Sequence, residues 1–285
     1  MNILTDLSTW RFWRHFLLQS FACGGGISAV IQFILIIFPE YAEKFQGLIP
    51  ITLIAIISII FGISRSWPRP IEIEFSAPKT KIKIIKGDLL EQDEHIVIGI
   101  CNTFDTETPH IVSKTSLLGQ SIDKLFGGDI KKLDELLEQA LSDKTFTIRE
   151  PIKNGKNQQY ELGTVAVVDH SPRLVYYLAY CRMSDRNEAF GTVDSVWKSL
   201  LYLWDAQSER GNHRPISIPV IGGGQARMSN ILPAQDSIRL IILSFMFASR
   251  EHKISDELRI IVQPNDYDRL DRMELQSFLS SLRPS

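Results

Sequence analysis

"KIKIIKGDLLEQDEHIVIGICN", residues 81–102, contains two apolar runs joined by a short polar segment. The runs at 81–85 and 96–101 are short and rich in β-branched residues, which is typical of β-strands. Gly87 and Asp88 follow the first run, and Asn102 follows the second. Ligands of open α/β sheets bind outside the carboxyl ends of the strands. These three residues are therefore candidates for a binding site.

Strand-like and helix-like segments alternate through most of the chain after residue 70. Further strand candidates are 71–75, 163–168, 175–180, 216–221 and 258–262. A helix with one apolar face is indicated by Val193, Val196, Trp197, Leu200, Leu201 and Trp204, and a second helix by 233–249. The stretch 102–161 is less regular. The alternation predicts an α/β layered domain.

A glycine triplet follows the strand candidate at 216–221, in "IPVIGGGQARMS", residues 218–229. Glycines allow main-chain N–H groups to converge on an anion, and the helix that starts near Pro233 adds a favourable dipole. The loop lacks the Gly-Lys-Ser/Thr of a P-loop and the spaced glycines of the dinucleotide fingerprint. A phosphate site is one interpretation and a plain turn is the other.

The stretch 81–102 resembles the opening of the macro domain family, in which a strand leads to Gly-Asp-Ile/Leu and a second strand ends in Asn. The resemblance implies a three-layer α/β/α fold that binds ADP-ribose, with Asp88 at the adenine amino group and Asn102 at the distal ribose. Taken alone, Asp88 is also explained as a helix N-cap and Asn102 as a turn residue. The ligand-binding residues that the resemblance implies are Asp88, Leu89, Asn102, Gly222, Gly223, Gly224, Gln225, Ala226 and Arg227.

Two departures from the hydrolytic members of that family favour ligand binding over turnover. Those members carry a second Asn three residues before the one matched by Asn102, where this chain has Gly99. They also carry a glycine-rich loop soon afterwards, and residues 108–129 contain no glycine triplet. A hydrolase needs such a loop to hold a water near the scissile ribose. We therefore predict no catalytic residues.

The N-terminal part of the chain contains two uncharged runs, 16–38 and 47–64, which are long enough for membrane-spanning helices. A signal peptide fits poorly because the first run is too long and a second run follows directly. A pair of buried core helices is the other alternative. Arg11 and Arg14 precede the first run, and Arg65 and Arg69 follow the second, which predicts that both termini are cytoplasmic.

Small residues line part of the first run and allow close approach of another helix. They could mediate assembly of several chains, or simply pack the hairpin. The residues predicted for membrane assembly are Gly24, Gly25, Gly26 and Ser28. The predicted division of the chain is a transmembrane hairpin at 1–66, a linker and first strand at 67–80, and a cytosolic macro-like domain at 81–285.

Composition excludes several classes of function. The formal net charge of -2 gives no indication of a nucleic-acid surface. Three scattered cysteines form neither a disulfide framework nor a metal-ligand pattern, and the six histidines show no HExxH spacing. The sequence predicts no metal and no cofactor.

A membrane hairpin followed by a macro-like domain resembles the membrane effector family of the type II Thoeris anti-phage system. The resemblance implies that the macro domain senses an NAD-derived signal, a histidine conjugate of ADP-ribose, made by a partner enzyme with a TIR fold. It further implies self-association and disruption of the lipids of the bacterial inner membrane, so that the infected cell dies. The alternatives are a membrane-tethered ADP-ribosyl hydrolase and a passive membrane scaffold that binds no nucleotide.

Overall fold

The structure is a computed structural model that describes residues 10–45, 47–66, 70–222, 228 and 230–283. The chain divides into two compact units, Met1–Arg69 and Pro70–Ser285.

The first unit is a pair of apolar helices, α1 (Trp10–Ile37) and α2 (Leu48–Ser66), joined by a 3-10 turn at Pro39–Phe45. The segments Phe12–Ile37 and Leu48–Ser66 have mean hydropathies of 2.0 and 2.2 and are long enough to cross a membrane. Large apolar side chains such as Phe21 and Ile49 are each more than 70% exposed, at 76% for both. The two helices therefore present apolar surfaces outward, as membrane helices do.

The two helices contact each other through glycine and serine. A Cβ at Gly24 of α1 would lie 2.9 Å from Ser58 Oγ of α2, and a Cβ at Gly62 of α2 would overlap the Ser20 hydroxyl of α1. Gly24, one of the residues predicted for assembly, therefore packs the hairpin itself. The other three differ: a Cβ at Gly25 or Gly26 meets no described atom within 4 Å, and Ser28 is exposed.

The second unit is a mixed α/β domain. Its strands are β1 (Ile71–Ser76), β2 (Lys79–Lys86), β3 (His95–Cys101), β4 (Phe146–Ile148), β5 (Gln158–Tyr160), β6 (Val165–His170), β7 (Arg173–Met183), β8 (Ala189–Phe190), β9 (Ile216–Pro219) and β10 (Glu257–Val262). Its helices are α3 (Leu117–Phe126), α4 (Ile130–Ala140), α5 (Val193–Arg210), α6 (Ala234–Glu251), α7 (Pro264–Tyr267) and α8 (Arg272–Ser281), with a 3-10 turn at Leu89–Glu91.

Eight strands form one sheet in the order β1-β2-β10-β9-β3-β7-β6, and β8 pairs with β7. The five central strands, from β2 to β7 in this order, are parallel, while β1 and β6 are antiparallel edges. Residues Val175 to Ala179 of β7 are fully buried on both faces of the sheet. Such a strand requires helices on both sides. The structure therefore confirms the predicted macro-like three-layer fold after an apolar helix pair.

The apolar faces predicted for two helices form the core beside the sheet. A capping box of Thr192 and Ser195 starts α5. The buried Trp204 of α5 donates from Nε1 to Ser244 Oγ of α6 at 3.0 Å, and its ring meets Phe245 edge to face with centroids 5.2 Å apart. Indole burial with a satisfied N–H stabilises this helix pair without a polar penalty.

The segment read as irregular, 102–161, contains two helices and a hairpin. Helix α4 buries only Leu133 and Leu137 fully and has an otherwise charged surface, so its helical period is weak in the sequence. The β4–β5 hairpin is short and half exposed. The strand candidate 216–221 ends earlier, at Pro219, because proline cannot donate to the sheet.

Candidate functional site

A cleft of about 1300 Å³ lies along the carboxyl edge of the parallel strands. Gly87 and Asp88 follow β2, Gly222 lies just after β9, and Gln263 follows β10; all of them line this cleft. Cys101 at the end of β3 closes its floor. This is the edge at which open α/β sheets bind ligands.

Asp88 caps the 3-10 turn at Leu89–Glu91 and faces the cleft. Its Oδ1 accepts from Leu90 N at 2.9 Å, and its Oδ2 lies 2.5 Å from Lys124 Nζ on α3. Leu89, the next predicted ligand residue, is almost wholly buried and also lines the cleft. The N-cap role that the sequence left open for Asp88 is thus present, and the carboxylate also borders the cleft.

The pKa of Asp88 lies below the ordinary aspartate value. Burial raises this pKa, but the hydrogen bonds from Lys124 and from Leu90 N together lower it by more. A carboxyl group with a depressed folded pKa stabilises the fold above its unfolded pKa and loses that contribution as the pH falls through the folded value. Asp88 is therefore an anionic hydrogen-bond acceptor at neutral pH.

The glycine loop leaves β9 in a conformation that favours glycine. Gly222 has φ +96°, and a Cβ there would lie 3.2 Å from Met228 Cβ. Ser237 of α6 binds both main-chain groups of Ile221, accepting from its N–H at 3.1 Å and donating to its carbonyl at 2.8 Å. The start of α6 is thereby held against the strand end. Five predicted ligand residues of this loop lie outside the described residues: Gly223, Gly224, Gln225, Ala226 and Arg227.

Asn102 lies away from this cleft. Its side-chain Nδ2 donates to the Tyr160 carbonyl at 3.1 Å, and its main-chain carbonyl accepts from Tyr160 N at 2.9 Å. These two hydrogen bonds attach β5 to the end of β3. Cys101 lines the large cleft, whereas Asn102, one residue beyond β3, does not. The structure thus brings Asp88, Leu89 and Gly222 to one cleft and places Asn102 in the wall of another.

Sequence reasoning did not anticipate the thiol pair in the floor of the cleft. Cys101 Sγ and Cys181 Sγ lie 3.1 Å apart on the neighbouring strands β3 and β7, and both side chains are buried. The hydrogen bond with Cys101, together with burial, raises the pKa of the Cys181 thiol well above its ordinary value. A thiol with a raised pKa is a weak nucleophile. The pair therefore packs the floor.

Gly99 makes room for an aromatic ring. A methyl group at Gly99 on β3 would overlap the ring of Tyr180 on β7. Burial raises the pKa of Tyr180 well above its ordinary value, so this phenol stays neutral. Glycine inside a strand often marks such a close approach, and this was the signal in the sequence that could have located Tyr180.

The region before β6 supplies one wall of the cleft through a buried ion pair. Lys153 Nζ lies 2.8 Å from Asp105 Oδ2, with side chains that are 0% and 1% exposed. Asp105 also accepts from the Thr103 hydroxyl at 2.5 Å and from Lys156 N at 2.7 Å. Asp105 and the neighbouring Ile111 and Val112 line the cleft. Within the described part of the chain, no group of three or more His, Cys, Asp or Glu residues is placed to hold a metal ion.

This fold is similar to that of known macro domains. Residues 82–263 match the family model described as "Thoeris protein ThsA, Macro domain". A search of curated proteins gives no match. Among solved structures, a point variant of the Oceanobacillus iheyensis macrodomain is 10% identical with a TM-score of 0.50, covering 75% of this chain and 97% of that chain.

Two other solved structures are similar at a lower score. The Oceanobacillus iheyensis macrodomain with ADP is 13% identical with a TM-score of 0.49, covering 75% of this chain and 99% of that chain. The Trypanosoma brucei macrodomain in complex with ADP-ribose is 12% identical with a TM-score of 0.45, covering 70% of this chain and 71% of that chain. At such identities the likeness concerns the fold alone.

Proposed function

The chain belongs to the Thoeris ThsA macro domain family, and from this premise we propose that its large cleft binds an ADP-ribose derivative as a signal. The observation that carries the proposal is that Asp88 and Gly222, at the ends of β2 and β9, line one cleft. An ionised carboxylate accepts from the exocyclic amine of adenine, and a glycine-rich turn before a helix suits a diphosphate.

The ligand is a conjugate larger than ADP-ribose itself. The cleft volume of about 1300 Å³ exceeds the usual range for small-molecule sites, roughly 300–1,000 Å³. Its extra wall comes from the region around Asp105, Ile111 and Val112. We assign this space to a histidine attached to the distal ribose, in a signal that a TIR-fold partner enzyme makes from NAD.

The site binds its ligand without turning it over. In place of the second asparagine of hydrolytic macro domains the chain has Gly99, and the neutral Tyr180 ring fills the space beside it. The Tyr180 phenol and the Cys181 thiol both have raised pKa values, so neither serves as a base at neutral pH. These residues support a sensor rather than an ADP-ribosyl hydrolase.

The apolar helix pair supports a membrane location for the sensor. We assign α1 and α2 to the bacterial inner membrane, with both termini cytoplasmic because arginines flank the outer ends of the two apolar runs. Ligand binding favours a self-associating state, and the clustered hairpins then disrupt the membrane and kill the infected cell. A shift from 1:99 to 99:1 requires about 5.5 kcal/mol of differential affinity.

Calorimetric titration tests the ligand site. The full chain in detergent micelles is titrated with ADP-ribose and with its histidine conjugate. We expect Asp88→Asn to weaken binding about 10- to 100-fold, because a hydrogen bond to a charged group contributes about 1.5–3 kcal/mol. Asparagine also caps helices well, so the 3-10 turn is retained.

Asp268→Asn is the matched control for this titration. Asp268 also pairs with a lysine, Lys86, at 2.8 Å, and it is not among the residues that line the cleft. Its replacement is expected to leave the affinity unchanged. Equal affinity of the wild-type protein and Asp88→Asn would contradict the proposed site, and absence of binding to either ligand would support a passive scaffold.

Prolonged incubation with an ADP-ribosylated protein separates sensor from hydrolase. We expect the full chain to release no more ADP-ribose than the Asp88→Asn variant does, because neither Tyr180 nor Cys181 ionises at neutral pH. Release is measured by chromatography over several hours. Steady release that the Asp88→Asn substitution abolishes would overturn the sensor and establish the membrane-tethered hydrolase.

A further inference from the structure

A second cleft, of about 740 Å³, lies beside β7 and the start of α5. Along β7, Cys181 and Met183 line the large cleft while Arg182 lines the second. Along β8, Ala189 lines the large cleft and Phe190 the second. The two linings share no residue, so the two clefts are separate sites.

The second cleft contains a buried acceptor that lacks a donor. Asn102 lines it and is only 3% exposed. Its Nδ2 donates to the Tyr160 carbonyl at 3.1 Å, which fixes the orientation of the amide. Its Oδ1 has no hydrogen-bond partner among the residues that the structure describes. A buried carbonyl oxygen without a donor costs about 1–3 kcal/mol, which a ligand N–H or O–H would relieve.

A helix start and one arginine lie beside this acceptor. The 18-residue helix α5 begins at the cleft with Thr192, whose hydroxyl already accepts from Ser195 N, so only the N–H groups of Val193 and Asp194 lack an acceptor within the cap. Arg182 lines the same cleft and forms no ion pair with any described residue. A helix N-terminus beside an arginine favours an anion. Lys198, Glu161 and Asp194 also line the cleft, and Lys198 pairs with Asp194 at 3.0 Å, so the lining has no net formal charge and suits a compact anion rather than a polyanion.

Two half-exposed aromatic rings complete the second cleft. Phe146 of β4 is 46% exposed and Phe190 of β8 is 51% exposed, and both line it. Phe190 lies directly opposite Arg182 in the β7–β8 pairing. Exposed aromatic rings on a cleft wall suit stacking with a flat ring of the ligand.

We propose that the second cleft is an additional ligand site for a nucleoside monophosphate. The base stacks on Phe146 and Phe190, an N–H of the ligand donates to Asn102 Oδ1, and the phosphate binds at Arg182 and the start of α5. The cleft volume of about 740 Å³ lies within the usual range for small-molecule sites, roughly 300–1,000 Å³. This site is independent of the signal site in the large cleft.

Calorimetric titration of the full chain in detergent micelles with AMP tests this site. We expect two AMP sites in the wild-type protein, of which Asp88→Asn weakens one and Arg182→Gln weakens the other. A charge-assisted hydrogen bond to phosphate is about twice as strong as a neutral one, so the Arg182→Gln loss is expected to be about tenfold. Phe190→Ser is expected to weaken that same site through lost stacking. Inorganic phosphate and adenosine are expected to bind there more weakly than AMP.

Arg186→Gln is the matched control, because Arg186 is also exposed and lines neither cleft. Arg182 and Phe190 are exposed as well, so their replacement leaves the core intact, which the melting temperature checks. An AMP isotherm that is unchanged in Arg182→Gln and Phe190→Ser, or a single AMP site that depends on Asp88, would overturn the proposal. Failure of ADP-ribose to bind would contradict the signal site alone, because the Arg182-dependent AMP site is measured separately.

Discussion

Replacement of Lys153 by Met is expected to lower the free energy of unfolding of the second unit by about 3–5 kcal/mol, the usual cost of removing one partner of a buried ion pair. The Asp105 carboxylate would remain buried, with the Thr103 hydroxyl and Lys156 N as its remaining donors. Neutral donors do not replace a full charge 2.8 Å away. Urea unfolding of the full chain in detergent, followed by near-ultraviolet circular dichroism, measures the change.

Lys156→Met is the matched control in the same loop. Lys156 Nζ lies 2.5 Å from Asp134 Oδ1, but both side chains are about 30% exposed, at 28% and 30%. An exposed pair contributes only about 0–1 kcal/mol, so little destabilisation is expected. The double variant Lys153→Met with Asp105→Asn should regain part of the loss because it removes the buried charge. Equal effects of Lys153→Met and Lys156→Met would show that burial does not set the strength of the first pair.

The same ion pair contributes to the wall of the large cleft. Asp105 lines the large cleft, and Lys153 lies in the loop that joins β4 to β5. A Cβ at Gly155 in this loop, where φ is +90°, would lie 2.5 Å from Asp105 Oδ1. The chain therefore encloses the carboxylate tightly. The buried ion pair thus fixes the polar loop between β4 and β5 against Asp105 in the wall of the large cleft, although this loop contributes little to the apolar core.

Much of the fold could be predicted because its central strands are short, apolar and β-branched. Strands β2, β3, β7 and β10 contain the predicted segments. Strands β3 and β7 are buried on both faces and show apolar runs, whereas β2 alternates lysine with buried isoleucine. The helices α3 and α4 were not predicted. Each buries a narrow stripe, and in α4 the stripe is interrupted by charged residues that face solvent. Tertiary packing decides such segments, and a single sequence shows it only weakly.

The site was predictable where function depends on position along a strand. Asp88 and Gly222 each follow a strand of one parallel sheet, and sheet topology alone brings them to the same edge. The position of Asn102 could not be obtained in this way. The strand register shifts between Ile100 and Cys101, and the side chain faces the β4–β5 hairpin, which the sequence did not reveal. Side-chain direction at a strand end depends on such local irregularities.

Only part of the small-residue face of α1 packs against the other helix of the hairpin. Gly24 of α1 packs against Ser58 of α2, and Gly62 of α2 packs against Ser20 of α1. Gly25, Gly26 and Ser28 are exposed and leave space for a further helix. Small residues with open space allow close approach of a second backbone in lipid. The residues that pack the hairpin therefore differ from those available for the proposed assembly, and the two can be tested separately.

Gly25→Leu is expected to abolish ligand-triggered leakage from lipid vesicles while leaving ligand binding intact. A Cβ at Gly25 meets no described atom of α2 within 4 Å, so a leucine there leaves the contact between α1 and α2 intact. The larger side chain would, however, keep α1 away from the same helix of a neighbouring copy. Full-length protein is reconstituted into dye-loaded vesicles of phosphatidylethanolamine and phosphatidylglycerol, and the histidine conjugate of ADP-ribose is added. Dye release is followed by fluorescence, and ligand affinity by calorimetry.

Val30→Leu is the control, because Val30 is already a large apolar residue, 60% exposed, and lies five residues along, on another face of α1. It should release dye like the wild-type protein. Gly24→Leu should also abolish release, but by opening the hairpin at Ser58, which trypsin sensitivity or a lower melting temperature would reveal. Normal release from Gly25→Leu vesicles would contradict assembly through this face, because the exposed glycines would then have no part in the contact that damages the membrane.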